Sequence, residues 1–239
     1  NAKFNSHSTT LEEFIKQSSV SEKIKAYLDE FELNGKLWGN VNLAVPLQRD
    51  SEEKLKLTFD MFASDNTLIL FDGKLTVDEF NSQISFNEGT IRTRGKGLVG
   101  GELFQISLNP KEWINEQNSR LRVKLSHLKT ATDAYITKYS NDQWKGTISS
   151  DNLSANLDLL IDEKGKFLLN LRDLDIVSFD NIEDWQLSPK IFPTLHLSAK
   201  NSIVDEKEIP NFEADLINHD YVMEIKNLVF ENIGLSNED

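Results

Sequence analysis

Lys54-Leu55-Lys56-Leu57-Thr58-Phe59-Asp60-Met61 sets every second side chain apolar and the ones between them polar. Successive side chains of an extended strand point to opposite faces, so this period of two describes a strand with one greasy face and one wet face. The same pattern runs outward in both directions. Upstream, Leu37, Val41, Leu43, Val45 and Leu47 share a face, with Trp38, Asn40 and Asn42 on the other. Downstream, Leu68 and Leu70 lead into an Asp72-Gly73 turn, followed by Leu75 and Val77, then Ile84 and Phe86, the turn at Asn87-Glu88-Gly89, and Ile91. Phe104, Ile106 and Leu108 alternate up to the breaker Pro110.

Beyond Pro110, Leu121, Val123 and Leu125 interleave with Arg120, Arg122 and Lys124. Leu153, Ala155, Leu157, Leu159 and Ile161 resume the alternation, and Lys164-Gly165 turns into Phe167, Leu169 and Leu171. After a loop marked by Pro189 and Pro193 come Leu195 and Leu197, then Phe212, Ala214 and Leu216, and finally Tyr221, Met223, Ile225, Leu228 and Phe230. Short strands at this spacing are the signature of a meandering antiparallel sheet, and no strand–helix–strand rhythm breaks it.

Two stretches read differently. Thr10-Leu-Glu-Glu13 has the form of a capping box before Leu11, Phe14 and Ile15, and Ile24, Tyr27, Leu28 and Phe31 fall on one helical face until Asn34-Gly35 signals a turn. One or two short amphipathic helices are expected there, and another over Thr130 to Tyr139. The expected organisation is a helical segment at 1–36, a first β-repeat region at 37–110, a basic strand plus short helix at 111–150, and a second β-repeat region at 151–239, all compatible with one domain.

A chain of 239 residues with 38% hydrophobic and 27% charged side chains has the composition of a folded protein with a real core. The longest purely apolar run, Leu68–Phe71, is far below the roughly 20 residues of a membrane helix. The chain starts at Asn1 in a polar tract without an initiator Met and is read as an excised or processed piece. Cysteine is absent, which removes disulfides, thiolate zinc sites and cysteine nucleophiles. The net charge of -13 is uneven: residues 1–91 carry -6, residues 92–145 carry +5 and residues 151–239 carry -12. Overall acidity argues against nucleic acid, whose binding is driven by phosphate neutralisation, and against broad adhesion to an anionic membrane face.

Motifs for chemistry do not assemble. Gly95-Lys-Gly97-Leu-Val-Gly100 fits the dinucleotide spacing, but that motif needs a following helix to hold pyrophosphate, and here another alternating strand follows. A glycine-rich hairpin or bulge is the better reading. His7, His127, His196 and His219 lack a second ligand at metal spacing, and His196 sits on the polar side of its strand. Asp173/Asp175 and Glu183/Asp184 read as solvated charge. No nucleophile elbow or P-loop occurs, so neither an enzyme nor a cofactor is expected. Arg92, Arg94 and Lys96, like Arg120, Arg122 and Lys124, project from shared faces, either as the wet side of half-buried strands or as a rim for phosphate headgroups or an acidic partner. Trp38, Trp113, Trp144 and Trp185 read as core or edge fillers.

Leu33-Asn-Gly-Lys-Leu-Trp-Gly-Asn-Val-Asn-Leu-Ala-Val-Pro-Leu47 resembles the YhdP branch of the AsmA-like family, related to TamB. Asp65-Asn-Thr-Leu-Ile-Leu70, Leu75-Thr-Val77, Ile84-Ser-Phe-Asn-Glu-Gly89 and Gly100-Gly101 resemble the family's repeating hairpin phrase. Ile191-Phe-Pro-Thr-Leu-His-Leu197 and Ile209–Leu216 resemble its later portion. The likeness covers residues 20–110 and 185–235 and carries no catalytic signature. It implies a Gram-negative periplasmic protein whose longer parent is anchored to the inner membrane, with a β-rich groove that moves phospholipid between inner and outer membranes. Other envelope proteins are possible partners.

The expected fold is therefore mainly β: a strongly curved, mostly antiparallel sheet, groove-like or taco-like, with the short N-terminal helices. The expected function is non-enzymatic binding or conduction of phospholipid acyl chains. The residues expected to line the groove are Val41, Leu43, Leu57, Phe59, Leu68, Leu70, Ile84 and Phe86. The period of two leaves a second reading open, a β-sandwich module of the cell envelope with no lipid site, because an apolar sheet face can equally be covered by polypeptide.

Overall fold

Strand-forming alternation becomes strand almost throughout. The computed structural model describes residues 2–7, 13, 29–44, 56–87, 90–109, 119–139, 143–161, 166–177 and 188–231. These form β1 (Ala2–His7), β2 (Glu32–Ala44), β3 (Lys56–Leu70), β4 (Leu75–Asn87), β5 (Thr90–Val99), β6 (Glu102–Leu108), β7 (Ser119–His127) and β8 (Thr132–Tyr139). They continue as β9 (Trp144–Ser149), β10 (Leu153–Ile161), β11 (Phe167–Ile176), β12 (Leu195–Lys200), β13 (Ser202–Val204), β14 (Lys207–Ile209), β15 (Phe212–Asn218) and β16 (Met223–Phe230). All sixteen belong to one sheet in which each strand up to β12 pairs with its predecessor, β15 and β16 follow β12, and β13 and β14 lie off this path. Pairing is antiparallel except where β11 runs parallel to β12 and β13.

The chain divides into two compact units. The first comprises residues 1–99 and 103–125, and the second comprises residues 100–102 and 126–239. In the first, a core cluster forms from Leu37, Phe59, Met61, Ala63, Ile84, Phe86 and Ile91, with Leu33, Val41 and Leu57 packed against it. In the second, Leu157, Leu159, Phe167, Leu195 and Ala214 are buried.

Several expectations are corrected. The N-terminal region is not helical at either end: Ala2–His7 is a strand paired with β2, and Glu32 onward already belongs to β2. Between them, Glu13 has helical backbone, and the rest of the two expected helices up to residue 28 lies outside the described residues. Asn34-Gly35 is not a turn; it continues β2 opposite an irregularity in β3, and Gly35 has a positive φ, with no room for a Cβ beside the Asn66 amide. Thr130–Tyr139 is not a helix either. A turn with Ala131 in the left-handed region precedes β8, which pairs with β9 from Asp133↔Ser149 to Lys138↔Trp144. Thr132, Tyr135, Ile136, Thr137 and Tyr139 are β-branched or aromatic, the types that fit a pleated surface, and this outweighs the helical spacing.

The strong curl is corrected too. The main strand path runs from β1 to β16 without closing, and in neither unit does the sheet curl strongly. Alternation specifies that a sheet has two unlike faces; its bend is set separately, by where bulges and glycine kinks fall.

Candidate functional surface: the apolar face of the sheet

The expected lining residues come together on one sheet face. In the first unit, Val41 is the cross-strand partner of Phe59, Phe59 of Phe86, and Phe86 of Ile91. The Phe59 and Phe86 rings stack with centroids 5.0 Å apart. Leu43 holds the register position opposite Leu57, Ile84 stands opposite Met61, Leu68 lies between Leu33 and Val77, and Leu70 faces Leu75. Contiguity does not mean openness. Phe59, Leu68, Leu70, Ile84 and Phe86 are between 1% and 6% exposed, while Val41 and Leu57 are half-buried. Aromatic stacking and near-complete burial make this part of the face a packed core.

The second unit carries a longer apolar face that the lining residues chosen from the sequence did not include. One cross-strand row runs Ile161, Phe167, Leu195, Leu216, Ile225 across β10, β11, β12, β15 and β16. A second runs Trp144, Leu159, Leu169, Leu197, Ala214 from β9 to β15. A third runs Leu157, Leu171, Ala199, Phe212, Phe230. Every member is apolar, so the rows form one continuous surface. Burial varies along it. Trp144, Leu157, Leu159, Phe167, Leu195, Ala199 and Ala214 are buried, and Ile161, Leu169, Leu171, Leu197, Phe212 and Leu216 are half-buried. At the edge strand β16, Ile225 is 62% and Phe230 53% exposed. The alternation was visible in the sequence for β10, β11, β12, β15 and β16 but not for β9; the row it builds depends on register, which alternation alone does not give.

The opposite face of the second unit is mainly polar, interrupted by Leu160, Leu168 and Ile217. Lys145, Asp158, Asn170, Ser198 and Glu213 form one row, and Arg172 pairs with Asp158 at 3.1 Å. Asp215 gathers donors from three other segments: Asn227 Nδ2 at 2.7 Å, Lys166 Nζ at 2.9 Å and His196 Nδ1 at 2.9 Å. A carboxylate can only accept, so the His196 proton sits on Nδ1. Those hydrogen bonds, from Asn227, Lys166 and His196 in that order, hold the Asp215 carboxyl far below the usual carboxylate range. His196, read from sequence as a surface residue on the polar side, is on that side but pairs directly with Asp215. An imidazole beside a carboxylate can serve a nucleophile, but the Ser198 hydroxyl on this face donates to Asn170 Oδ1 at 2.7 Å instead. The cluster therefore ties β12, β15 and β16 together.

The remaining candidates separate. Gly95 and Gly97 lie in β5 against the β4 backbone and Gly100-Gly101 form the turn to β6, so the glycine spacing serves a hairpin. Asp173 accepts from Asn156 Nδ2 at 3.0 Å, and Trp38 stacks on Phe62 on the wet face of β2 and β3, whereas Trp144 is buried. Glu183, Asp184, Trp113 and Trp185 lie outside the described residues. Among the described residues, no group of three or more His, Asp or Glu side chains could hold a metal ion, and no helix is long and apolar enough to cross a membrane. A cleft of about 570 Å³ in the second unit is lined by Asn201, Ser202, Glu208, Asn211 and Glu231 with Ile203, Ile209 and Pro210. Its carboxylates and amides make it a poor place for an acyl chain. In comparison with known proteins, the chain matches no family model, no curated protein and no solved structure.

Proposed function

We propose that this chain handles phospholipid acyl chains without covalent chemistry, as a periplasmic module of an AsmA-like envelope protein working between inner and outer membranes. The observation that carries the reading is the set of unbroken apolar rows in the second unit, two of which end exposed on β16, at Ile225 and Phe230. A chain laid along such rows meets carbon at each strand it crosses. At about 0.8 kcal/mol per buried methylene, about six methylenes contribute about 5 kcal/mol, enough for binding between millimolar and micromolar. The resemblance of residues 20–110 and 185–235 to the AsmA-like family supplies the lipid, the compartment and the anchored parent.

Native mass spectrometry of the 239-residue chain after gentle purification tests this. The expected result is adducts with the mass of phospholipids, weakened about tenfold on rebinding to a Leu171→Gln, Leu197→Gln variant. Repeated preparations without bound lipid, and no rebinding after delipidation, would overturn it.

A second reading rests on a specific observation in the first unit. With Phe59, Leu68, Leu70, Ile84 and Phe86 almost wholly buried, the residues chosen from sequence as groove lining have the environment of a sealed core. A structural or interaction module of the envelope with no lipid site requires that the second unit's rows stay dry and empty, and the same mass spectrum distinguishes the two.

A further inference from the structure

We propose that the polar face of β1–β5, in the first unit, docks on a bilayer surface that carries anionic phospholipid. Cross-strand register builds this face in rows. One runs Asn5, Trp38, Phe62, Gln83, Arg94, and the next runs Lys3, Asn40, Asp60, Ser85, Arg92. Beside them His7 stands opposite Lys36, Lys36 opposite Ser64, and Asn81 opposite Lys96. Lys3, Lys36, Arg92, Arg94 and Lys96 therefore share a face on which Asp60 is the one carboxylate of these rows, in a chain whose net charge is -13. Asp65, Asp78 and Glu79 mark the limit of the basic area, at the irregularities of β3 and β4. β2 to β5 each pair on both sides, so this is the surface of a completed sheet and not an open edge.

Charge and aromatic side chains together select the occupant. Opposite charges paired across strands stabilise a wet sheet face, and like charges along it repel. Arg92, Arg94 and Lys96 follow one another about 7 Å apart, and their β4 partners Ser85, Gln83 and Asn81 are neutral. None of the five cationic side chains has an ion pair or hydrogen bond among the described residues, so anions brought to the face relieve a repulsion that these residues leave in place. Trp38 and Phe62 stack in the middle of the cations with ring centroids 6.2 Å apart, and are 43% and 45% exposed. Tryptophan favours the headgroup level of a bilayer, where lysine and arginine meet phosphate, and each cation near an anionic leaflet adds attraction. Because the two rings already cover part of each other, they offer a slab of apolar surface and not open plates for stacking bases. The acidity of the rest of the chain opposes broad adhesion, which confines the attraction to this face. The face is independent of the apolar rows of the second unit.

Co-sedimentation of the full 239-residue chain with vesicles tests this. Partition onto vesicles of equal parts phosphatidylglycerol and phosphatidylcholine should exceed that onto phosphatidylcholine alone by about tenfold or more, and fall steeply as salt is raised. Arg94→Gln with Lys96→Gln should weaken it about tenfold, and Trp38→Ser with Phe62→Ser about threefold, all four at exposed positions. Lys200→Gln with Lys207→Gln, the same charge change at exposed positions of the second unit, should leave partition unaltered. Leu171→Gln with Leu197→Gln should leave it unaltered too, which separates this face from the acyl-chain rows. Equal partition onto the two kinds of vesicle, or equal loss with the two pairs of charge changes, would overturn the proposal. So would full binding by the variant lacking both rings, or capture of a single-stranded oligonucleotide in preference to the anionic vesicles when both are present.

Discussion

The two units treat the same sequence pattern differently. Both build a sheet with one apolar face from period-two alternation, yet the first buries most of that face and the second leaves it open at the β16 edge. The difference lies in what the rows meet across strands. In the first unit Phe59 and Phe86 stack beside Met61 and Ile84, and large residues fill the face to near-complete burial. In the second the rows mix leucine with Trp144, Phe167, Phe212 and Phe230, and two of them run out to an edge strand with nothing on its far side among the described residues. Alternation thus decides which face is apolar; position in the strand order decides where that face lies open.

That contrast can be broken experimentally. The largest effect is expected at Phe59→Asp, which puts a charge into a packed core with no partner and should cost more than about 4 kcal/mol, enough to unfold the first unit. Thermal melting followed by circular dichroism reads it, and a cooperative melt near that of the unmodified chain would mean the first unit's face is not sealed. A smaller effect is expected at Asp215→Asn, which weakens the link between β12, β15 and β16 by up to about 1 kcal/mol at neutral pH. The native carboxyl titrates below its unfolded value of about 3.9, so its contribution is present above that pH and lost as pH falls toward the depressed native value. Denaturant melts of the two proteins should therefore differ at pH 7 and converge in strong acid; a constant gap across that range would contradict the assignment. The smallest effect is expected at Phe230→Asp, within about 0.5 kcal/mol of the unmodified chain because the site is already wet. A large loss there would show that the edge of the second unit is covered after all.

Much of this fold was legible, including features that the alternation showed without being used. The existence of most strands followed from the period of two, though not that of β1, β8, β9, β13 or β14, and the Asp72-Gly73 and Gly100-Gly101 turns followed from their residue types. The bulges were also written in the chain, as changes of phase. Phe59, Met61 and Ala63 occupy odd positions and Leu68 and Leu70 even ones, and between them Asp65 adopts a positive φ. Val77 gives way to Phe80 across Glu79, Leu171 to Leu174 across Asp173, and Ile225 to Leu228 across Asn227, each again with positive φ. An extra residue in one strand shifts its alternation by one, so a phase flip at Asp or Asn marks a bulge. The helix expected at 130–139 failed because helical spacing in a short segment competes poorly with a neighbouring strand that supplies backbone partners. The second unit's rows could not be read off, since they require the parallel register of β11 and β12, which no local signal encodes.

That parallel joint also sets an order of assembly. The β10–β11 pair brings Ile161 to Phe167 across a short sequence separation, whereas bringing Phe167 to Leu195 closes a far longer one, at an extra entropic cost of about 1 kcal/mol. β12, β15 and β16 pair among themselves at shorter separations, so that closure is what joins them to β11. Until then the leucines of β11 have no neighbour on that side, and a nascent chain is at its most aggregation-prone in that interval.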